Sequence, residues 1–287
     1  MNKILIPKNL DEEGIENILK EFVKPSNSTH LDFSDTEFIS PFASILLILM
    51  IDNAVRKNSR KIHFILKNTS NVKPCMYILA RLGFFENLHK KVTYYPYRPK
   101  PKGNPKGKND AILEVTKIEK QEARDIIDKV EKAITINTDY SKEHKLDICV
   151  MVSEMIQNIF YHSEAPDSGI IAIQNFERFN YMQMIIADGG IGIPETIKKC
   201  EDYKNRKLQD YEAIFESVKK GVSSLGKGED RGEGLARCVD LANKHSARLF
   251  IRSNTGYASI TFKKNGGFFG NGSFLSGTQI FVNFPCS

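Results

Sequence analysis

The stretch Tyr181-Met182-Gln183-Met184-Ile185-Ile186-Ala187-Asp188-Gly189-Gly190-Ile191-Gly192-Ile193-Pro194 decides how the second half of this chain is read. Its first seven residues form a strand-like apolar run, which ends at Asp188 and passes into a loop with glycines at 189, 190 and 192. Glycine adopts positive φ without steric cost and lets a ligand approach the backbone closely. A strand running into such a loop can cradle a small molecule, and Asp188 at its end can accept a hydrogen bond from an exocyclic amine. The same residues equally suit a Gly-rich turn capped by an aspartate. A dinucleotide fold or a methyltransferase glycine loop would place an acidic residue at the end of the next strand, about twenty residues on. Residues 196–199 and 210–220 read instead as helices, which argues against both.

Upstream, residues 146–163 carry apolar side chains at Leu146, Cys149, Val150, Val152, Ile156, Ile159 and Phe160, the pattern of a helix buried on one side. Glu154 and Asn158 lie four apart on it and so share a face, with His162 a turn further on. A carboxylate beside an amide oxygen suits a magnesium-bound phosphate: the amide oxygen is a hard ligand and the carboxylate can orient water. The same spacing also occurs on solvated helices. Downstream, the polar, glycine-bearing stretch 221–231 leads into Gly232-Glu233-Gly234-Leu235, after which Ala236, Val239, Leu241 and Ala242 predict a helix to about Lys244. Free N–H groups and the dipole at a helix start favour an anion, although an ordinary loop with helix caps has the same composition. Residues 247–253, 257–263 and 278–284 read as strands, with Gly277-Thr278 opening the last.

Together these segments, over about residues 111–285, resemble the GHKL ATPases, the group that includes gyrase, histidine-kinase and anti-sigma-kinase nucleotide-binding domains. Glu154 and Asn158 match the family's N box, Asp188-x-Gly190-x-Gly192 its first glycine box, Gly232-x-Gly234-Leu235 its second, and Gly277-Thr278 its closing Gly-Thr, in the family's order. The resemblance implies a Bergerat-type α/β sandwich, a mixed sheet under helices, with ATP and Mg2+ between the helices and a mobile lid. It assigns Asn158 to magnesium, Asp188 with Gly190 and Gly192 to the adenine end, Gly232, Gly234 and Leu235 to the phosphate end, and Thr278 to the neighbourhood of the adenine. Glu154 becomes the candidate base. No His-Glu-Leu-like phosphoacceptor surrounds His144, which argues against a histidine autokinase, and the chain lacks the length of a gyrase transducer domain. The other histidines, His30, His63, His89 and His245, read as single structural residues.

The first half alternates element types: a strand at 3–6, a helix capped by Asp11, a strand at 30–33, a helix opened by Pro41, a strand at 61–66 and a helix from about 72 to Gly83. This is the pattern of a small α/β layer. The stretch Leu31-Asp32-Phe33-Ser34-Asp35-Thr36-Glu37-Phe38-Ile39-Ser40-Pro41-Phe42-Ala43, with Leu82-Gly83-Phe84-Phe85, resembles a STAS domain of the anti-sigma-factor-antagonist type over about residues 1–95. Where that family carries a phosphorylatable serine this chain reads Ser40-Pro41-Phe42-Ala43, so the acceptor is absent or displaced to Ser40 or Ser44.

Five basic and no acidic residues fall in 98–108, which nearly accounts for the chain's net charge of +6, and four of the eleven prolines fall in 95–108. Proline removes ladder and helix hydrogen bonds, so residues 96–110 read as a basic linker between a domain at 1–95 and one at 111–287. A nucleic-acid role for this linker ranks last, because beyond Tyr94, Tyr95 and Tyr97 no aromatic platform accompanies it. The longest apolar run, 45–51, is far short of the ~20 residues of a membrane helix, and no signal peptide is read at the start, so a cytosolic location without membrane contact is expected. Five widely spaced cysteines indicate neither a disulfide framework nor a zinc site. The expectation is an ATP-binding regulator acting through protein partners, either an ATPase or serine/threonine kinase or a non-catalytic, nucleotide-gated interaction module. The family resemblance adds the expectation of a homodimer.

Overall fold

Asp11 starts the first helix: its carboxylate accepts the backbone N–H of Gly14 at 2.9 Å, an N-cap at the head of α1 (Glu12–Phe22). The computed structural model describes residues 2–67, 72–101, 111–162, 169–176, 179–219, 222, 234–261 and 266–286. Before α1 come β1 (Asn2–Leu5) and β2 (Asn9–Leu10). After it the alternation continues through β3 (Ser28–Asp32), β4 (Phe38–Ile39), α2 (Pro41–Asn58), β5 (Lys61–Ile65), α3 (Pro74–Arg81), α4 (Phe84–Asn87) and β6 (Thr93–Tyr95). The strands lie in the order β1-β3-β5-β6 and every pair is parallel. Because each strand is laid beside its predecessor in one direction, right-handed crossovers place the connecting helices on one face. Ile4, Leu31, Ile62 and Phe64 point into that face and are at most 4% exposed. Ser40 caps α2, its hydroxyl accepting the N–H of Ala43 at 3.1 Å, while Ser44 is buried and donates to the Pro41 carbonyl at 2.7 Å. Both displaced phospho-acceptor candidates therefore serve the start of this helix.

The chain divides into two compact units, Met1–Asn109 with Glu114–Thr116, and Asp110–Leu113 with Lys117–Ser287. Most of the expected basic linker, 102–110, lies outside the described residues. The second unit runs β7 (Ala111–Ile118), a 3-10 turn (Lys120–Glu122), α5 (Ala123–Asn137), α6 (Lys142–His162), β8 (Gly169–Phe176), β9 (Tyr181–Asp188), α7 (Ile193–Lys198), α8 (Asp210–Ser217), α9 (Gly234–Lys244), β10 (Arg248–Thr261) and β11 (Gly266–Pro285). Its sheet has the order β10-β11-β9-β8-β7, and the described registers, β10 with β11, β11 with β9 and β9 with β8, are antiparallel. The molecule is thus α/β with a parallel sheet in one unit and antiparallel pairing in the other. One core joins α5 and α6 to the sheet through Ile126, Val130, Ile148, Met151, Met184 and Val282.

Three expectations are corrected here. The strands read at 247–253 and 257–263 are one strand, β10, interrupted by irregular register at Ser253, Asn254 and Gly256. That irregularity turns the strand back on itself: Arg248 Nε donates to Ser259 Oγ at 3.2 Å, and the Phe250 and Tyr257 rings stack at 6.3 Å. β11 begins at Gly266 rather than 278, because the glycine-rich run before it pairs with the outer half of β10. The histidines read as single are not all so. His30 and His63 are cross-strand partners with ring centroids 4.7 Å apart. His245 stacks on His144 at 3.7 Å and pairs with Asp147 at 2.8 Å. Among the described residues no helix is long and apolar enough to cross a membrane.

Candidate functional site

α6 is a 21-residue helix without glycine or proline, and its buried stripe of Ile148, Met151, Val152, Met155 and Ile159 fixes which side faces the sheet. Glu154 and Asn158 are set one turn apart by that orientation. α9 opens at Gly234, and a Cβ built there would lie 3.1 Å from Glu154 Oε2 and 3.6 Å from both amide atoms of Asn158. The start of α9 and the polar face of α6, some eighty positions apart in sequence, are thus in contact. Glycine is what lets the helix start approach so closely. Asn158 Nδ2 is buried and has no partner among the described residues, so the amide keeps an unused hydrogen-bond donor. Glu154 is 20% exposed, and its Oε1 meets Arg237 Nη1 at 3.2 Å.

The second convergence is at the other end. Asp188, at the end of β9, is only 5% exposed, and its Oδ1 accepts the N–H of Gly190 at 2.7 Å. Burial pushes its carboxyl up to about 6, against the opposing pull of backbone hydrogen bonds from Gly190 and Thr278. Gly277, at φ +95°, packs on this strand end so tightly that a Cβ would fall 2.1 Å from the Asp188 carbonyl oxygen. Gly192, at φ +82°, would collide with Ser253 Oγ and Asn254 Oδ1, both at 2.8 Å.

Between these ends lies a cleft that opens to solvent. Its walls include Met155, Asn158, Ile186, Asp188, Gly192, Ile193, Gly234, Leu235, Thr278 and Ile280. Of the sequence-derived site residues, Asn158, Asp188, Gly192, Gly234, Leu235 and Thr278 line it, Gly190 is bonded to Asp188, and Glu154 adjoins Gly234. Gly232, all of 221–231 except Val222, and the His162 side chain lie outside the described residues. Val222 also lines the cleft.

Sequence reading missed the residues that hold the glycine loop. Ser253 Oγ accepts the N–H of Ile193 at 2.8 Å and donates to the Gly277 carbonyl at 2.9 Å, with Thr278 Oγ1 3.1 Å away. Asn254 Nδ2 donates to the Ile191 carbonyl at 3.0 Å, and Ser276 Oγ to the Gly190 carbonyl at 2.6 Å. Arg237 was also missed. A serine or asparagine in a strand carries no local signal of such a role, because its partners in the glycine loop are some sixty to ninety positions away; the register of the strand is irregular at Ser253 and Asn254.

Chemically, one end of the cleft offers a buried acceptor and apolar walls, and the other offers helix-start N–H groups, an amide and a carboxylate. No family model matches the chain, and no curated protein matches it.

Proposed function

We propose that the second unit is a GHKL-type nucleotide-binding domain that takes ATP with magnesium in this cleft, and that the first is a STAS-like regulatory domain through which protein partners act. The observation that carries the reading is the double convergence: Gly234 against Glu154 and Asn158, and Gly277 against Asp188, bring four separated motifs to the two ends of one cleft. The buried Asp188 carboxylate suits an exocyclic amine, the apolar walls suit a flat base, and the start of α9 suits phosphate.

Asn158 lines the cleft and would hold the metal through its amide oxygen, with phosphate and water oxygens completing the coordination. When bound, magnesium supplies charge neutralisation between the phosphate oxygens. Glu154 takes the proton of a water or of a partner's serine or threonine hydroxyl as that oxygen bonds to the γ-phosphorus, and ADP leaves with the electron pair of the broken bridging bond. N–H groups at the start of α9 hold the developing charge.

Calorimetry of ATP binding with and without magnesium tests the metal assignment. Asn158→Ala is expected to abolish most of the magnesium-dependent part of the affinity, and near-parental affinity in that variant would remove Asn158 from the site.

A further inference from the structure

The pairing of Glu154 with Arg237 calls for a reason other than stability. The guanidinium is 56% exposed and the distance is 3.2 Å, and an exposed pair of this kind contributes little to stability. α9 is already anchored by buried Ala236, Cys238 and Ala242, so the pair is not needed to dock the helix. It does, however, resolve an electrostatic conflict. Glu154 Oε2 stands within 3.1 Å of the Cβ position of Gly234, at the helix start that suits an anion, and two adjacent anions repel. Arg237 follows Gly234 by three residues, hence on the same face of α9, and helical side chains lean toward the N-terminus. Its guanidinium is therefore directed over the first turn, where it meets Glu154 Oε1.

We propose that Arg237 is a positioning residue, the counter-ion that lets an acidic side chain stand beside the phosphate end of the cleft and that fixes the carboxylate with one oxygen toward α9. The inference rests on the nucleotide-binding reading and deepens it. Without Arg237 the uncompensated carboxylate repels a terminal phosphate, so the loss falls on ATP more than on ADP. It disappears when the carboxylate does.

The experiment is a double-mutant cycle on calorimetric affinities for ATP and ADP, each with magnesium, using the parent, Arg237→Ala, Glu154→Gln, the double variant and Arg237→Lys. The expected result is about a tenfold loss of ATP affinity in Arg237→Ala, a smaller loss for ADP, restoration in the double variant, and partial rescue by lysine. An equal loss for ATP and ADP, or a loss that persists in the double variant, would mean a merely structural role and overturn the proposal. Unchanged ATP affinity in Arg237→Ala would overturn it too while leaving the nucleotide reading intact. A parent that binds neither nucleotide would end both.

Discussion

Backbone N–H groups of Gly190 and Thr278 already engage the Asp188 carboxylate, and burial still holds it up at about 6. Two consequences follow, of opposite sign. For folding, the native state takes up this proton before the unfolded chain does, whose carboxyl has the ordinary value of about 3.9, so Asp188 adds stability as pH falls from about 6 toward 4. For ligand binding, an amine donor needs the ionised acceptor, so ATP affinity should fall by up to about tenfold per pH unit below about 6; titration calorimetry between pH 7.5 and 5 reads this, and a flat profile would detach Asp188 from the base. Asp188→Asn should weaken ATP by about 1.5–3 kcal/mol, one charge-assisted hydrogen bond, and narrow the preference over GTP. Gly277 makes a steric prediction: with φ at +95° and a Cβ position 2.1 Å from a backbone oxygen, Gly277→Ala should cost about 3 kcal/mol of stability by denaturant unfolding. Asp188 and the glycines were legible in the sequence because a strand running into a glycine loop is a local pattern. Ser253, Asn254, Ser276 and Arg237 were not, since what they do depends on partners distant in the chain.

α6 and α9 carry the proposed phosphate end between them, and at the opposite end of the pair they are stapled by charge and stacking. Lys244 bridges Glu143 at 2.7 Å and Asp147 at 2.6 Å, while His245 meets the same aspartate and lies flat on His144. Burial, with the His245 charge second, drives His144 down to about 4 from its ordinary 6.5. Here the unfolded chain takes the proton first, so this stability is complete above about pH 6.5 and is lost as pH falls toward 4. Denaturation at pH 7 and pH 4.5 should therefore show His144→Gln less acid-sensitive than the parent; an equal decline in both would exclude His144 as the cause. The cap at Asp11 and the helix opened by Pro41 could be read from capping residues alone; the buried side of α6 could be read in part, since Cys149, Val152, Ile156 and Ile159 are buried but Leu146, expected with them, is 62% exposed. The single bent strand β10 could not, because the irregular register at Asn254 and Gly256 looks in sequence like the turn between two strands.

At the scale of the whole molecule, two units of different construction share one chain: a parallel sheet with sequence-ordered strands, and an antiparallel-paired sheet under helices that form a cleft. The α/β class was legible from alternating periodicities; the registers were not, because strand pairing is set by contacts distant in the chain. If the second unit turns ATP over, Glu154→Gln should keep ATP affinity while phosphate release or phosphotransfer drops by about 10²–10⁴-fold; a parental rate would remove Glu154 from the mechanism. Whether the cleft takes ATP at all is the central claim, and calorimetric titration of the intact protein with ATP and with GTP, each with magnesium, tests it most directly. Saturable ATP binding that exceeds GTP binding by at least tenfold and weakens by about 10- to 100-fold in Asp188→Asn is the predicted result; no ATP binding, or equal binding of the two nucleotides, would contradict it.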